Sequence, residues 1–521
     1  MPDIIFYNGT ILTIDPDAPQ VEALAVRSGR ILARGTKDEL ADMARPDTTW
    51  VDLDGRCLLP GFHDSHVHLT RHGLELSRLD LSSTPTQARA LEQVAERAAD
   101  LPVGSWILGS GFATSRWNVD TLHKEDLDRA APEHPVLLQS QDHHSAWANS
   151  AALRLANVHV DTPDPQHGTI ERHPDGDPSG LLLERAVELV FNAVPEPSAA
   201  ELADALDAAA KDLARLGVTT VHHMAYEPAS YWRALGLRAS REDYPLRVWA
   251  CVPQEDAESA AAIGLATGQG GERFCVGGAK FFVDGALGSL TAAMLEPYLG
   301  TTTTGVFVHG PDILAERLPI VIDAGLTPVV HAIGDAATRA VIDALEATLP
   351  QWQAKHLRPR VEHVQHLHPD DVSRFARLGA VASVQPSHLI FDAKRIRDKL
   401  GDRVHHAYPL RSLLNAGVHL AFGSDTPVAK PDTLESLRAA CRRLDPDGAP
   451  LSPGESLAPD QALTAYTWGA AYAIGREHRS GQLRTGFDAD FTVLSHNPLV
   501  SLDALSVEGT MVAGMWTLPL S

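Results

Sequence analysis

The fold class predicted for this 521-residue chain is α/β: a (β/α)8 TIM-like barrel, a small β-sandwich made from both termini, and an insertion after the first barrel strand. Three observations predict it. Short strands broken by turn residues occupy both ends of the chain. Strand and helix patterns alternate between them, which calls for a parallel sheet. Roughly 150 residues separate the first two barrel strands, far more than a βα loop holds.

Residues 1–58 carry IIFYNGTILTID, VEALAVRSGRILARG and TTWVDLDGRCLLP, with Asn8-Gly9 and Gly29 where hairpins would turn. ADFTVLSHNP and VEGTMVAGMWT repeat the texture near the C-terminus. Neither end has enough strands for an independently stable sheet, so residues 1–58 and 478–521 are expected to form one sandwich. The barrel is expected over 59–477. Its eight strand candidates are 59–66, 218–224, 246–252, 276–284, 327–333, 359–364, 380–386 and 418–425. Residues from about 71 to 197 read as an inserted subdomain, lid-like over the barrel mouth. Within it, DTPDPQHGTIERHPDGDPSG reads as an irregular loop.

Bulk properties exclude several classes. Apolar content of 44% and charged content of 21% are those of a water-soluble globular protein. A formal net charge of -23 argues against nucleic acid or an anionic membrane as partner, because both require a basic face. No run of about 18 apolar residues is present to span a bilayer. No signal peptide is visible in MPDIIFYNGTILTID. The four cysteines are far apart with no CxxC pair, which fits reduced thiols and a cytoplasmic location. A homodimer is left open as the assembly.

The chemistry lies in five short segments: His66-x-His68 in LLPGFHDSHVH, Lys280 in GGAKFFVDG, His331 in TPVVHAIGD, His363 in RPRVEHVQH and Asp425 in HLAFGSDTP. Each sits at or just beyond the C-terminal end of an apolar run, where a barrel delivers its catalytic side chains. Alternate strand positions point the same way, so His66 and His68 can reach one ion. Nitrogen and oxygen ligands without thiolate suit zinc, manganese, iron or nickel. Lys280 lies inside an apolar strand, where an ammonium is costly unless paired, and Asp284 is the partner at hand. Asp425 could instead cap a following helix. His366 and His368 lie past their strand and read as surface residues, while His222 or His223 could reach the site as a supporting or substrate group.

This set and order resembles the amidohydrolase superfamily over nearly the whole chain, and most closely its YtcJ-like branch, which includes N-substituted formamide deformylase. The resemblance implies that His66, His68, Lys280, His331, His363 and Asp425 hold two divalent cations, zinc foremost. It implies that Lys280 is N6-carboxylated and bridges them. It implies that Asp425 is catalytic, taking a proton from a metal-activated water and passing it to the leaving nitrogen.

On the substrate side, QDHHSAWANSAAL and GFATSRW resemble cleft segments of that branch. His143 or His144 could polarise a carbonyl, and Trp117 and Trp147 could pack a substituent or form the insertion's own core. Arg172 could bind a carboxylate. The expected activity is hydrolysis of a non-peptide carbon–nitrogen bond in a small amide-like molecule, an N-substituted formamide foremost. A cyclic amidase or deaminase, an esterase or lactonase, and an inactive scaffold remain open.

Overall fold

The computed structural model describes residues 1–119, 121–141 and 144–520. The chain divides into two compact units, one of residues 1–72 and 206–521, the other of residues 73–205.

The larger unit contains the barrel. Its strands are β1 (Phe62–Val67), β2 (Val218–His223), β3 (Arg247–Pro253), β4 (Phe274–Phe282), β5 (Thr327–Ala332), β6 (Arg360–His363), β7 (Val381–Val384) and β8 (Leu420–Phe422). All neighbours in this sequential order pair in parallel. Closure between β8 and β1 is made just past the strands by a parallel bridge of Val67 with Thr426. There Asp425 N donates to His66 O at 2.7 Å and His68 N to Thr426 O at 2.8 Å. All eight strands fall where the apolar runs predict them.

Period-two alternation decides which side chains enter the barrel. Phe281, Val330, Val361, Ala382 and Phe422 join a core with Leu314, Leu318, Val321, Val341, Leu345 and Phe375 of the surrounding helices. Their neighbours Lys280, His331, Arg360, Glu362 and Ser383 therefore project to the barrel interior, where all are buried. The barrel's inside is polar and charged.

The two ends of the chain build two further sheets in the same unit. One holds Ile4–Tyr7, Ala23–Arg27, Arg30–Gly35 and Thr49–Asp52. The other pairs Phe491–Leu494 with Cys57–Pro60, and so joins C-terminal strands to N-terminal ones. Phe6, Leu24, Ile31, Leu58, Leu483, Phe491 and Met511 share the core of these sheets. The composite sandwich is thus formed from both termini, as the strand count requires. Arg247, at the start of β3, ties it to the barrel through Asp490, with Nε–Oδ2 at 2.6 Å and Nη2–Oδ1 at 3.1 Å.

The second unit carries a six-stranded mixed sheet in the order Gly168–Arg172, Pro178–Glu184, Ser145–Ala148, Val136–Ser140, Ile107–Phe112, Leu79–Asp80. The stretch expected to be an irregular loop contains its terminal hairpin. His173 N donates to Asp177 O, and Gly176 turns the chain at φ +91°. The Pro, Asp and Gly density that suggested a loop is the chemistry of that tight turn. Arg172 is consumed locally: its guanidinium donates to the carbonyls of Val160, Thr162 and Gly176, which removes it as a substrate anchor. Among the described residues no helix is long and apolar enough to cross a membrane.

The buried Arg247–Asp490 pair makes a test of the sandwich–barrel junction. Arg247→Met leaves Asp490 without its two-point partner and should cost about 3–5 kcal/mol, read as a lower denaturant midpoint. The double variant Arg247→Met/Asp490→Leu should recover much of that loss. An unchanged midpoint in the single variant would remove the pair from the account of the junction.

Candidate metal centre

At the C-terminal ends of the barrel strands, His66, His363 and Asp425 each offer a ligand atom, and these atoms lie within 4.8 Å of one another. His66 Nε2 is 3.4 Å and His68 Nε2 3.6 Å from Asp425 Oδ1. The His331 ring stands 4.4 Å from that of His363, centroid to centroid, and the His66 ring 4.9 Å from it. His331 Nε2 faces the Gly285 carbonyl at 3.2 Å, which leaves Nδ1 as its ligand atom. The sixth expected member, Lys280, is fully buried with its Nζ 5.1 Å from the Phe282 ring centroid.

The backbone is bent to this arrangement. Strand alternation alone would turn His363 outward, since Glu362 beside it points in. His363 and Val364 instead take φ of +75° and +42°, and Asp425 takes +61°. Left-handed backbone at non-glycine residues, β-branched Val364 above all, costs energy that surrounding structure must hold, and such positions cluster at functional sites. Gly423 permits the closest approach: a Cβ there would lie 2.6 Å from His66 N and 3.0 Å from Asp64 Oδ1.

Each ligating ring is oriented from behind. His66 Nδ1 donates to Glu362 Oε2 at 2.7 Å, and His363 Nδ1 to Gln385 Oε1 at 2.8 Å. An ionised carboxylate or an amide oxygen can only accept, so in both rings the hydrogen sits on Nδ1 and Nε2 offers a lone pair. Burial, reinforced by neighbouring positive or imidazole groups, holds His66, His68 and His363 well below the usual histidine range. All three are neutral, as metal ligands must be.

Burial likewise lowers Lys280, against the pull of Glu362 and Asp425. Its Nζ has no hydrogen-bond partner among the described residues. The alternative ion pair with Asp284 is not formed. Asp284 accepts from the backbone N–H of Ala293, Ile333 and Gly334 at 2.9, 3.0 and 2.8 Å, and its Oδ1 lies 3.4 Å from His331 Nε2. Neutral imidazoles and a buried carboxylate converge on one spot, in the same barrel interior as a buried amine that has no hydrogen-bond partner among the described residues. The donor set fits a divalent cation.

The residues that hold these rings from behind are not apparent from the sequence motifs. Glu362 is fully buried and binds Arg360 at 2.9 Å as well as His66. Arg360 reaches His222 Nδ1 at 2.8 Å, Ser65 O at 2.7 Å and Ser383 Oγ at 3.0 Å. The available signal was the R-x-E alternation inside the apolar run PRVEHV, two charges on the inward face of a strand.

The substrate-side expectations need correction. Trp147 is wholly buried and Trp117 nearly so. They share a core with Phe112, Leu127 and Leu138, and their indole N–H groups donate to the His123 and Thr84 carbonyls. They are the insertion's own core, with no ring face left for a substrate. His222, also wholly buried, receives Arg360 and packs edge-on against Trp249 and His63, so it supports the barrel interior and does not meet substrate. His366, expected at the surface, is buried, because the chain past β6 folds back to bridge with Ala407. His144 lies 3.0 Å from Glu184 Oε2. His143 falls outside the described residues.

Two substitutions separate orientation from folding. Gln385→Leu removes only the acceptor behind His363 and should weaken metal affinity about 10–100-fold with the thermal midpoint nearly unchanged. Glu362→Gln should lose metal and also several kcal/mol of stability, about 3–5, because Arg360 is left with a buried, uncompensated charge. Equal behaviour of the two variants would overturn this division of labour.

Comparison with known proteins agrees with the geometry. Residues 49–516 match the sequence pattern described as the amidohydrolase family. The chain is 34% identical over 528 residues to the putative amidohydrolase YtcJ of Bacillus subtilis (strain 168), covering 98% of each. It is 28% identical to N-substituted formamide deformylase of Arthrobacter pascens, covering 96% of this chain and 94% of that protein. Among solved structures, an uncharacterized metal-dependent hydrolase from Pyrococcus horikoshii OT3 superposes with a TM-score of 0.79 at 26% identity, covering 96% of this chain and 98% of that one.

Proposed function

The chain belongs to the amidohydrolase family, in its YtcJ-like branch, as a metal-dependent hydrolase of carbon–nitrogen bonds, and from that premise we propose that it hydrolyses an N-substituted formamide or a related small amide. The observation that carries the proposal is the convergence of neutral His66, His68 and His363 with Asp425, in a barrel interior that also buries Lys280 with no hydrogen-bond partner for its Nζ among the described residues. The relative at 28% identity whose name specifies formamides supports that substrate class.

His66, His68, His331, His363 and Asp425 would hold one or two divalent cations, zinc foremost, which supply an activated water and an electrophile for the carbonyl. Lys280 is the residue for a second ion. Its neutral amine can capture carbon dioxide, and the carbamate would offer two anionic oxygens. Asp425 would take the proton of the attacking water and deliver it to the departing nitrogen. For a formamide the overall change is R–NH–CHO plus water giving formate and the protonated amine. Glu362 and Gln385 fix the ring orientation throughout. The free cysteines support a cytoplasmic location.

Zinc-loaded protein assayed against formamides, hydantoins, N-acyl amino acids and lactones should release formate from the first group fastest. Turnover confined to hydantoins or lactones would replace the formamide reading while leaving the hydrolase intact. Lys280→Ala and Lys280→Arg should both lose bound metal and turnover, the second because a guanidinium forms no carbamate and brings a fixed positive charge toward the ions. Short carboxylic acids should partly restore Lys280→Ala and leave Lys280→Arg inactive. Full metal content in both variants would remove the lysine from the site.

A further inference from the structure

A second group of ligand-type side chains lies in the unit of residues 73–205, apart from the barrel centre in sequence and built on other elements. His123, Glu125 and His173 each present one ligand atom, all within 4.8 Å of one another. Their origins differ. His123 is the residue before the helix Lys124–Ala130, Glu125 lies in that helix's first turn, and His173 follows the strand Gly168–Arg172 at the turn of the terminal hairpin.

The two imidazoles stack against each other. Their rings lie nearly parallel, 17° apart, with centroids at 5.3 Å. His123 Nδ1 and His173 Nε2 are both shielded from solvent and have no hydrogen-bond partner among the described residues. Two solvent-shielded polar nitrogens in one small cluster are costly unless something binds them. The opposite nitrogen of His123 is already engaged, with Nε2 3.2 Å from Thr121 Oγ1. Its backbone carbonyl receives the Trp147 indole N–H at 3.0 Å. His123 is therefore fixed at both ends, with Nδ1 aimed into the cluster. His173 is fixed through its backbone, which accepts from Gly176 N at 2.9 Å and donates to Asp177 O at 2.8 Å. Glu125 Oε1 stands 3.6 Å from His173 Nε2, too far for a hydrogen bond and close enough to share an ion. Lys124, which follows His123 in the chain, is already paired with Asp177.

We propose that His123 Nδ1, Glu125 Oε1 and His173 Nε2 form a second metal site, for a zinc-like divalent ion, which pins the terminal hairpin of this unit to the start of the Lys124–Ala130 helix. Two imidazoles and one carboxylate are ligands that zinc, cobalt and nickel accept, and three protein ligands leave a position for water. Calcium and magnesium, which take oxygen donors, are excluded by the two nitrogens. The role is structural. The site joins segments 50 residues apart in sequence and lies where the sheet ends in a solvent-facing hairpin.

The test uses the full-length chain as wild type, His173→Asn and Glu125→Gln, each stripped with chelator, reloaded with excess zinc and desalted. Amide hydrogen exchange across residues 107–117 and 136–141, unchanged from wild type, establishes that the core around Trp117 and Trp147 remains packed in both variants. Wild type should retain about one more zinc per chain than either variant. Zinc should slow amide hydrogen exchange across residues 168–184 in wild type several-fold, and not in the variants. Hydrolase activity of the variants should stay at the wild-type level, because the barrel ligands are untouched. Equal zinc content in all three proteins, with exchange at 168–184 indifferent to zinc, would overturn the site. Loss of activity without loss of that zinc would overturn it too, by showing that these residues serve the barrel reaction.

Discussion

The interior of the barrel is organised around one fully buried ion pair, Arg360 with Glu362 at 2.9 Å. Placing two charges out of water is expensive, and the expense is met only when each charge is saturated by further hydrogen bonds. Arg360 achieves this through Ser65 O, Ser383 Oγ and His222 Nδ1, and Glu362 through His66. The pair links β1, β2, β6 and β7 through contacts outside the backbone ladders. Burial by itself would raise the Glu362 carboxyl, but the Arg360 guanidinium beside it acts against that, and the carboxyl sits below its ordinary value. Because Glu362 stays ionised it can only accept from His66. The tautomer that presents Nε2 to a metal is thus set by an ion pair that touches no metal.

The second constraint is where the sheet closes. β8 and β1 share no regular ladder; the end of β1 instead bonds to the chain just past β8, and those contacts are made by residues of the candidate site. Asp64 Oδ1 accepts from Ser424 N at 2.9 Å and His66 N at 3.2 Å, and Asp425 N reaches back to His66 O. Barrel closure and ligand placement are one event here. This is why Gly423 tolerates no side chain and why Asp425 carries a left-handed φ that a helix cap would not need.

Much of this was legible in the sequence, and the parts that were not share a cause. The eight strands, the composite sandwich and the histidine and aspartate segments follow from apolar runs and their ends, which are local signals. The residues behind the ligands are set by which side of a strand faces inward, and that cannot be fixed when both faces are buried and both look apolar. Lys280 is visible because a lysine in GGAKFF is anomalous; Glu362 is as anomalous in PRVEHV, but it adjoins a histidine that is itself a ligand type. His363 could not have been oriented from alternation at all, since its backbone breaks the alternation. The tryptophans of the insertion were ambiguous for a different reason. A large aromatic beside histidines reads the same whether it lines a cleft or fills a core, and only packing with Phe112 and Leu138 decides it.

The unpartnered lysine closes the electrostatic argument. With Asp284 committed to three backbone N–H groups, Lys280 has no ion pair with it, and burial favours its neutral form against the pull of Glu362 and Asp425. Capturing carbon dioxide would turn that neutral amine into an anion in the same dry interior, beside Glu362 and Asp425. Such an anion is tolerable only with cations present. Two cations among neutral imidazoles would in turn need anionic oxygens nearby. On the carbamate reading, lysine modification and double metal loading are therefore coupled steps, each unfavourable alone. A single ion is the state this chain should reach when carbon dioxide is scarce, held by His66, His68 and Asp425. Raising bicarbonate during reloading should then change metal content in one step from one ion to two, with no population in which the lysine is modified and the second ion absent.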